Sequence, residues 1–134
     1  MGSNQDKGAD IYALAKKLWG LNRSITGEGV RATLGIIKGY LPDLSIQGAA
    51  SGTKVFDWTV PKEWAVEDAY IIDPNGDKIC SFKNNNLHLV GYSTPIDQVL
   101  TLDELQEHLY SLPDQSSAIP YVTSYYKSNW GFCI

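Results

Sequence analysis

Two cysteines, two histidines and one methionine in 134 residues leave little material for metal or redox chemistry. Cys80 and Cys133 are far apart, so there is no Cys-x-x-Cys spacing, and there is no His-x-x-Glu pair either. The sequence also lacks a Gly-x-Ser-x-Gly nucleophile elbow and a phosphate-binding glycine loop with its lysine. There is no basic surplus: 11 Lys and Arg face 15 Asp and Glu, for a net charge of −4. Releasing counterions from phosphates needs a cationic patch, so nucleic acid is not an expected partner. No apolar run approaches the roughly 20 residues that span a bilayer, and no membrane partner is expected. Residues 1–8 carry neither a signal-peptide core nor a myristoylation motif, because Asp6 stands where that motif wants Ser or Thr. They read as a disordered end or a tag, and the protein as cytoplasmic with reduced thiols.

What is present is globular. Hydrophobic residues make up 43% and aromatics 11%, enough for one compact domain or one domain plus an appendage. Ile11, Leu14, Ala15, Leu18 and Leu21 recur at helical spacing and predict an amphipathic helix over 9–21. Asn22-Arg-Ser-Ile-Thr-Gly-Glu-Gly29 is a polar connector. Thr26 is the expected cap of a second helix, whose stripe Val30, Leu34, Ile37 and Leu41 runs to Pro42. A helical hairpin over 9–43 is too small to bury both stripes unless it packs on something else.

From residue 44 the period changes to two. Phe56, Trp58 and Val60 are expected on one strand face, ended by Pro61. Residues 68–73 and 78–83 read as strands joined by the turn Asp73-Pro-Asn-Gly-Asp77, with another strand over Leu87–Val90. Thr101-Leu-Asp-Glu104 matches a capping box, and Leu102, Leu105, Leu109 and Leu112 predict a helix over 101–112. The fold class is α+β: a helical hairpin, a small mostly antiparallel β domain over 44–115 with one further helix, and an extended segment over 116–134. The apolar end, Trp130-Gly-Phe-Cys-Ile134, reads equally as a strand leading into a further core or as one docking into this domain.

Few residues carry chemistry in this pattern, and none is assigned as catalytic or as a metal ligand. A hydrolytic zinc site needs at least three His, Asp, Glu or Cys donors around an open position. A cluster of Cys80, His88, His108 and Cys133 is conceivable, but no spacing demands it. His108 is expected in solvent on the last helix. His88, alternating with Leu87 and Leu89, is either a half-buried ring tied to a backbone carbonyl or a site residue beside Asn84, Asn85 and Asn86. Cys80 shares a predicted strand face with Phe82 and reads as core. A Cys133–His88 dyad would lack an orienting third group. Tyr125 and Tyr126, being adjacent, point to opposite faces.

Taken jointly, several blocks form a pattern. They are Asn22-Arg-Ser-Ile-Thr-Gly-Glu-Gly-Val-Arg31, Val55-Phe-Asp-Trp-Thr-Val-Pro-Lys-Glu-Trp64, Asn86-Leu-His88 with Tyr92-Ser93, Ile119-Pro-Tyr121, Thr123-Ser-Tyr-Tyr126 and Trp130-Gly-Phe-Cys133. The pattern resembles the aminopeptidase-like family of zinc-dependent exopeptidases whose names often include polysaccharide biosynthesis. The resemblance implies the N-terminal part of a larger α/β hydrolase, with 9–43 as leading helices of the catalytic fold, a small inserted β domain, and 116–134 as an extended segment leading toward a missing catalytic core. It implies zinc for the full-length family but no cofactor in this chain, the ligands following the Trp-Gly-Phe-Cys block. On that view the chain alone is inactive. Asn86, His88, Tyr125 and Trp130 are then the candidates for facing substrate or an interface. The implied partners are the C-terminal catalytic region or further copies of the chain, with a peptide or small molecule as substrate of full-length relatives. The other reading is a stand-alone interaction module that presents Trp58, Trp64 and Trp130.

Overall fold

Local rules account for much of the chain's path in the computed structural model, which describes residues 4–125 and 127–134. The expectations for residues 1–3 and Tyr126 lie outside the described residues. The chain divides into two compact units, 1–65 and 66–134. It is α+β, with three α-helices and three two-stranded pairings among the described residues.

In the first unit, α1 spans Asn4–Trp19 and α2 spans Glu28–Tyr40. Helix α1 begins before the stretch that apolar spacing predicts. The cap of α2 is Gly27 at φ 133°, not Thr26, and it offers no side-chain hydrogen bond. Only glycine adopts that backbone without strain. A side chain on Gly29 would collide with the Asn22 carbonyl group, so the connector lies directly against the first turn.

The predicted strand over 55–60 is instead a tight hairpin, β1 (Lys54–Val55) against β2 (Trp58–Thr59), with Val55 opposite Trp58. Phe56 and Asp57 form its two-residue loop, with Phe56 at φ 52° and its side chain in solvent. Phe56, Trp58 and Val60 therefore do not share a buried face. Such loops favour positive φ, which Asn or Gly normally signals, and here no such signal exists. Val60 alone turns inward, with its N–H donating to the Thr53 carbonyl at 2.9 Å.

The second unit opens with the hairpin that Asp73-Pro-Asn-Gly-Asp77 predicts: β3 (Ile71–Ile72) pairs antiparallel with β4 (Lys78–Ile79). The Asp73 carboxylate accepts from the N–H groups of Asn75 at 2.8 Å and Asp77 at 2.9 Å, and Gly76 takes φ 90°. Pairing resumes one residue out of step, because Phe82 N–H donates to the Ala69 carbonyl at 2.8 Å while Ile71 faces Ile79. Cys80, at φ 50°, is the extra residue of this bulge, so it does not share a flat strand face with Phe82.

Two further expectations are corrected. Residues Asn86–His88 form a 3-10 turn, not a strand, because the Asn85 side chain captures the Leu87 N–H at 3.1 Å. Helix α3 has the predicted capping box, with Glu104 Oε2 accepting from Thr101 N at 2.8 Å, but it spans only Leu102–Gln106. Leu109–Tyr110 leave the helical pattern to form β5, parallel to β6 (Phe132–Cys133).

Strand β6 is the centre of the unit. On one side it holds β5. On the other, Leu89 bridges Phe132 antiparallel, and Gly91 in turn bridges Thr123. Val90 and Cys133 are fully buried there, with Tyr92 and Phe132 nearly so. The apolar end thus docks into its own unit's core, one of the two readings the sequence allowed. Among the described residues, no helix is long and apolar enough to cross a membrane.

Candidate functional site

Four of the sequence-selected residues hang on this one layer, and the backbone around β6 fixes two of their neighbours. His88 leaves the 3-10 turn with its Nδ1 2.8 Å from the Cys133 carbonyl oxygen. His108, just before β5, has its Nδ1 3.0 Å from the Trp130 carbonyl oxygen. A carbonyl only accepts, so Nδ1 carries a proton in both rings. His108 also stacks on Trp130, centroids 3.7 Å apart. It is half-buried, not in open solvent as its helical position implied.

His88 meets the Cys133 backbone, not its thiol, so the geometry does not form a Cys–His dyad. Burial pushes the Cys133 thiol up from its ordinary range, and it also raises that of half-buried Cys80. Both sulfurs therefore stay protonated and weakly nucleophilic. The imagined ligand set of Cys80, His88, His108 and Cys133 does not come together. Among the described residues, no three His, Cys, Asp or Glu side chains form a metal-holding group. The zinc that the resemblance implies does not fit the residues present.

Two residues with strained backbone belong to the same layer. Tyr92 and Tyr125 both occupy the left-handed region, at φ 65° and 45°. Their rings meet edge to face at 5.7 Å and 72°. Such conformations persist only where the surroundings over-determine them. Here Gly91 N–H donates to the Val122 carbonyl, Ser124 N–H returns to the Gly91 carbonyl, and Ser93 Oγ donates to the Val90 carbonyl at 2.7 Å. Ser93 Oγ also accepts from Gly131 N at 3.3 Å, tying the layer across β6. Tyr125 projects outward, whereas Asn86 and Trp130 are half-buried.

Sequence reasoning placed His108 in solvent and gave Gly131 no role of its own. A side chain on Gly131 would meet the His108 carbonyl oxygen and the Tyr110 ring, each at 2.8 Å. The only available signal was the Trp-Gly-Phe-Cys block itself, where glycine sits between two aromatics.

In the first unit, Arg31 clamps two of the blocks that carry the resemblance. Its Nη1 donates to Glu63 Oε1 at 2.6 Å, its Nη2 to Glu63 Oε2 at 3.0 Å, and its Nε to Glu28 Oε2 at 3.0 Å. The guanidinium holds the Glu63 carboxyl below the usual carboxylate range. This bidentate pair sits in solvent, so it orients more than it stabilises.

Residues 63–134 match the family described as a domain of unknown function, DUF2172. The chain belongs to that family. The match coincides with the second compact unit, 66–134. A Clostridium acetobutylicum protein, named provisionally for polysaccharide biosynthesis with an aminopeptidase-like domain, is 50% identical over 132 residues. The alignment takes in 98% of this chain and 30% of that protein. A crystal structure from the same organism, named provisionally as a peptidase, superposes with a TM-score of 0.90 at 51% identity. It covers 96% of this chain and 30% of that one. The chain thus spans under a third of the length of these relatives, and the resemblance to aminopeptidase-like proteins is borne out.

Proposed function

We propose that this chain is the N-terminal region of a zinc aminopeptidase-like hydrolase and is catalytically incomplete alone. The observation that carries this reading is the near-complete alignment, at 50% identity, with a protein in which the matched stretch is only 30% of the length. In this reading hydrolytic zinc, which needs three or more donors around an open position, is held by another part of the full-length protein. In this reading the layer around β6 shapes the mouth of the site. His88 and Trp130 are held by carbonyl and ring contacts, and Tyr125 by Tyr92. The substrate class is a peptide or a small molecule with a free amino end, and the setting is the cytoplasm.

A second reading has one observation in its favour: the family match and a compact unit with its own core coincide. That unit would then be a separable interaction module.

The test is zinc content and hydrolysis of aminoacyl-p-nitroanilides by the full gene product and by residues 1–134 alone. The proposal expects activity in the full product, lost on chelation and restored by zinc, and none in residues 1–134. Hydrolysis by residues 1–134, or a gene product that ends at Ile134, overturns it.

A further inference from the structure

The turn Asp73-Pro-Asn-Gly-Asp77 carries a reactive pair that its folding role does not use. Of the chain's asparagines, Asn75 alone precedes a glycine. The backbone nitrogen of the residue after an asparagine can attack the side-chain carbonyl carbon, and a Cβ on that residue shields the nitrogen. Glycine has no Cβ. A Cβ added to Gly76 would meet nothing within 4 Å, and Asn75 and Gly76 are both exposed, so no neighbour screens the pair from water. Asn85 is the contrasting case. It is half-buried, precedes Asn86, and its side-chain oxygen accepts the Leu87 N–H at 3.1 Å.

The reaction needs water and no other reagent. Gly76 N gives up its proton and bonds to Asn75 Cγ, closing an imide ring. The Cγ–Nδ2 bond breaks, and the amide nitrogen leaves as ammonia with that proton. Water then adds to either imide carbonyl and reopens the ring, leaving aspartate or isoaspartate at position 75.

The fold resists this step at both reacting groups. The Gly76 N–H is already engaged, donating to the Asp73 carbonyl at 3.0 Å. The Asn75 side-chain amide donates to Asp73 Oδ2 at 3.3 Å, while Oδ1 accepts the Asn75 N–H at 2.8 Å and the Asp77 N–H at 2.9 Å. Closing the ring has to take the Asn75 side chain off this carboxylate. A neighbouring anion also disfavours loss of the Gly76 proton. We propose that Asn75 is a spontaneous deamidation site whose conversion Asp73 holds back. Conversion replaces the amide donor on Asp73 Oδ2 with a second carboxylate, and the isoaspartate form adds a methylene to the main chain inside the turn. Either change loosens the bond from the Asp73 N–H to the Asp77 carbonyl, 3.0 Å long, that closes the β3–β4 hairpin. This modification is independent of the hydrolase reading.

The experiment ages the full gene product at mildly alkaline pH, folded and in urea, and follows the tryptic peptide Glu63–Lys78 by mass spectrometry. Asn75 carries the only side-chain amide in that peptide, so an amide-to-acid mass gain reports on it alone. Methylation by an isoaspartyl carboxyl methyltransferase separates isoaspartate from aspartate. In urea, Asn75 is expected to convert ahead of every other asparagine of residues 1–134. In the folded protein it should convert about tenfold or more slowly, the ratio that one hydrogen bond to a charged group supports. Asp73→Ala should erase most of that ratio, and Gly76→Ala should suppress conversion in urea, where folding plays no part. In the converted fraction the Asp73 amide should exchange with solvent faster. Three results overturn the inference: no conversion of Asn75 in urea, conversion as fast in the folded parent as in urea, or a folded-state rate unchanged by Asp73→Ala. The comparison on the parent decides even where Asp73→Ala does not fold. An Asp73 amide that exchanges no faster after conversion overturns the loosening of the hairpin.

Discussion

The His108 imidazole lies against the Trp130 indole with planes 18° from parallel, while its Nδ1 meets the carbonyl oxygen of the same residue at 3.0 Å. One side chain thus holds both the ring and the backbone of the residue that leads into β6. Trp130→Ala removes the stacked surface and should destabilise the second unit by about 2–4 kcal/mol. His108→Phe keeps a stacking ring and loses the hydrogen bond, for about 1 kcal/mol. Urea unfolding of the three proteins checks the order, and a larger loss from His108→Phe would refute this division of roles.

Gly131 has no room for a methyl group. The His108 carbonyl oxygen and Tyr110 ring at 2.8 Å and the Val90 side chain at 3.1 Å close in on it. Gly131→Ala should cost about 2–3 kcal/mol through overpacking. Gly35, inside α2, has nothing within 4 Å, and Gly35→Ala should gain up to about 1 kcal/mol from helix propensity. Thermal unfolding of both variants gives shifts of opposite sign if the packing is as described.

The Asp73 carboxyl is held below its usual range, first by the Asp77 N–H and then by Asn75. A folded-state value below the unfolded one means that its contribution is present above the unfolded value, near 4. That contribution is lost as pH falls through the lower, folded-state value. Asp73→Ala should therefore lower the melting temperature at pH 7 and narrow its gap to the parent by pH 3. Melting curves across that range decide the matter. A gap that widens toward acid would contradict the sign.

Cys133 is fully buried and Cys80 only half so, and burial raises both thiols. A thiol-reactive chromophore at pH 8 should label Cys80 first, with Cys133 waiting on opening of the β6 layer. In denaturant the two rates should converge. Faster native labelling of Cys133 would show that β6 is not docked as described.

The devices legible in the sequence were those whose partners lie within a few residues. Thr101 and Glu104 satisfy each other's backbone groups three residues apart, and Asp73 gathers the N–H groups of its own turn. The His88 alternative of a half-buried ring on a backbone carbonyl could be written down because a lone histidine beside leucines has few other outlets. Its partner, Cys133, could not be named.

What the sequence by itself determined is therefore local: the capped start of α3, the Asp73 turn, the two helices of the first unit, and membership in a family carried by dispersed aromatic blocks. Tertiary structure decided the rest. Leu109 fits a helical stripe as well as a strand, and it becomes strand because β6 supplies the hydrogen bonds that run from Phe132 N–H to the His108 carbonyl at 2.8 Å and from Ile134 N–H to the Tyr110 carbonyl at 2.9 Å. Leu89 is drawn out of its 3-10 turn by the same strand. These choices depend on residues more than twenty positions away. Periodicity reads only near neighbours, whereas a buried backbone group must find its partner wherever the chain returns.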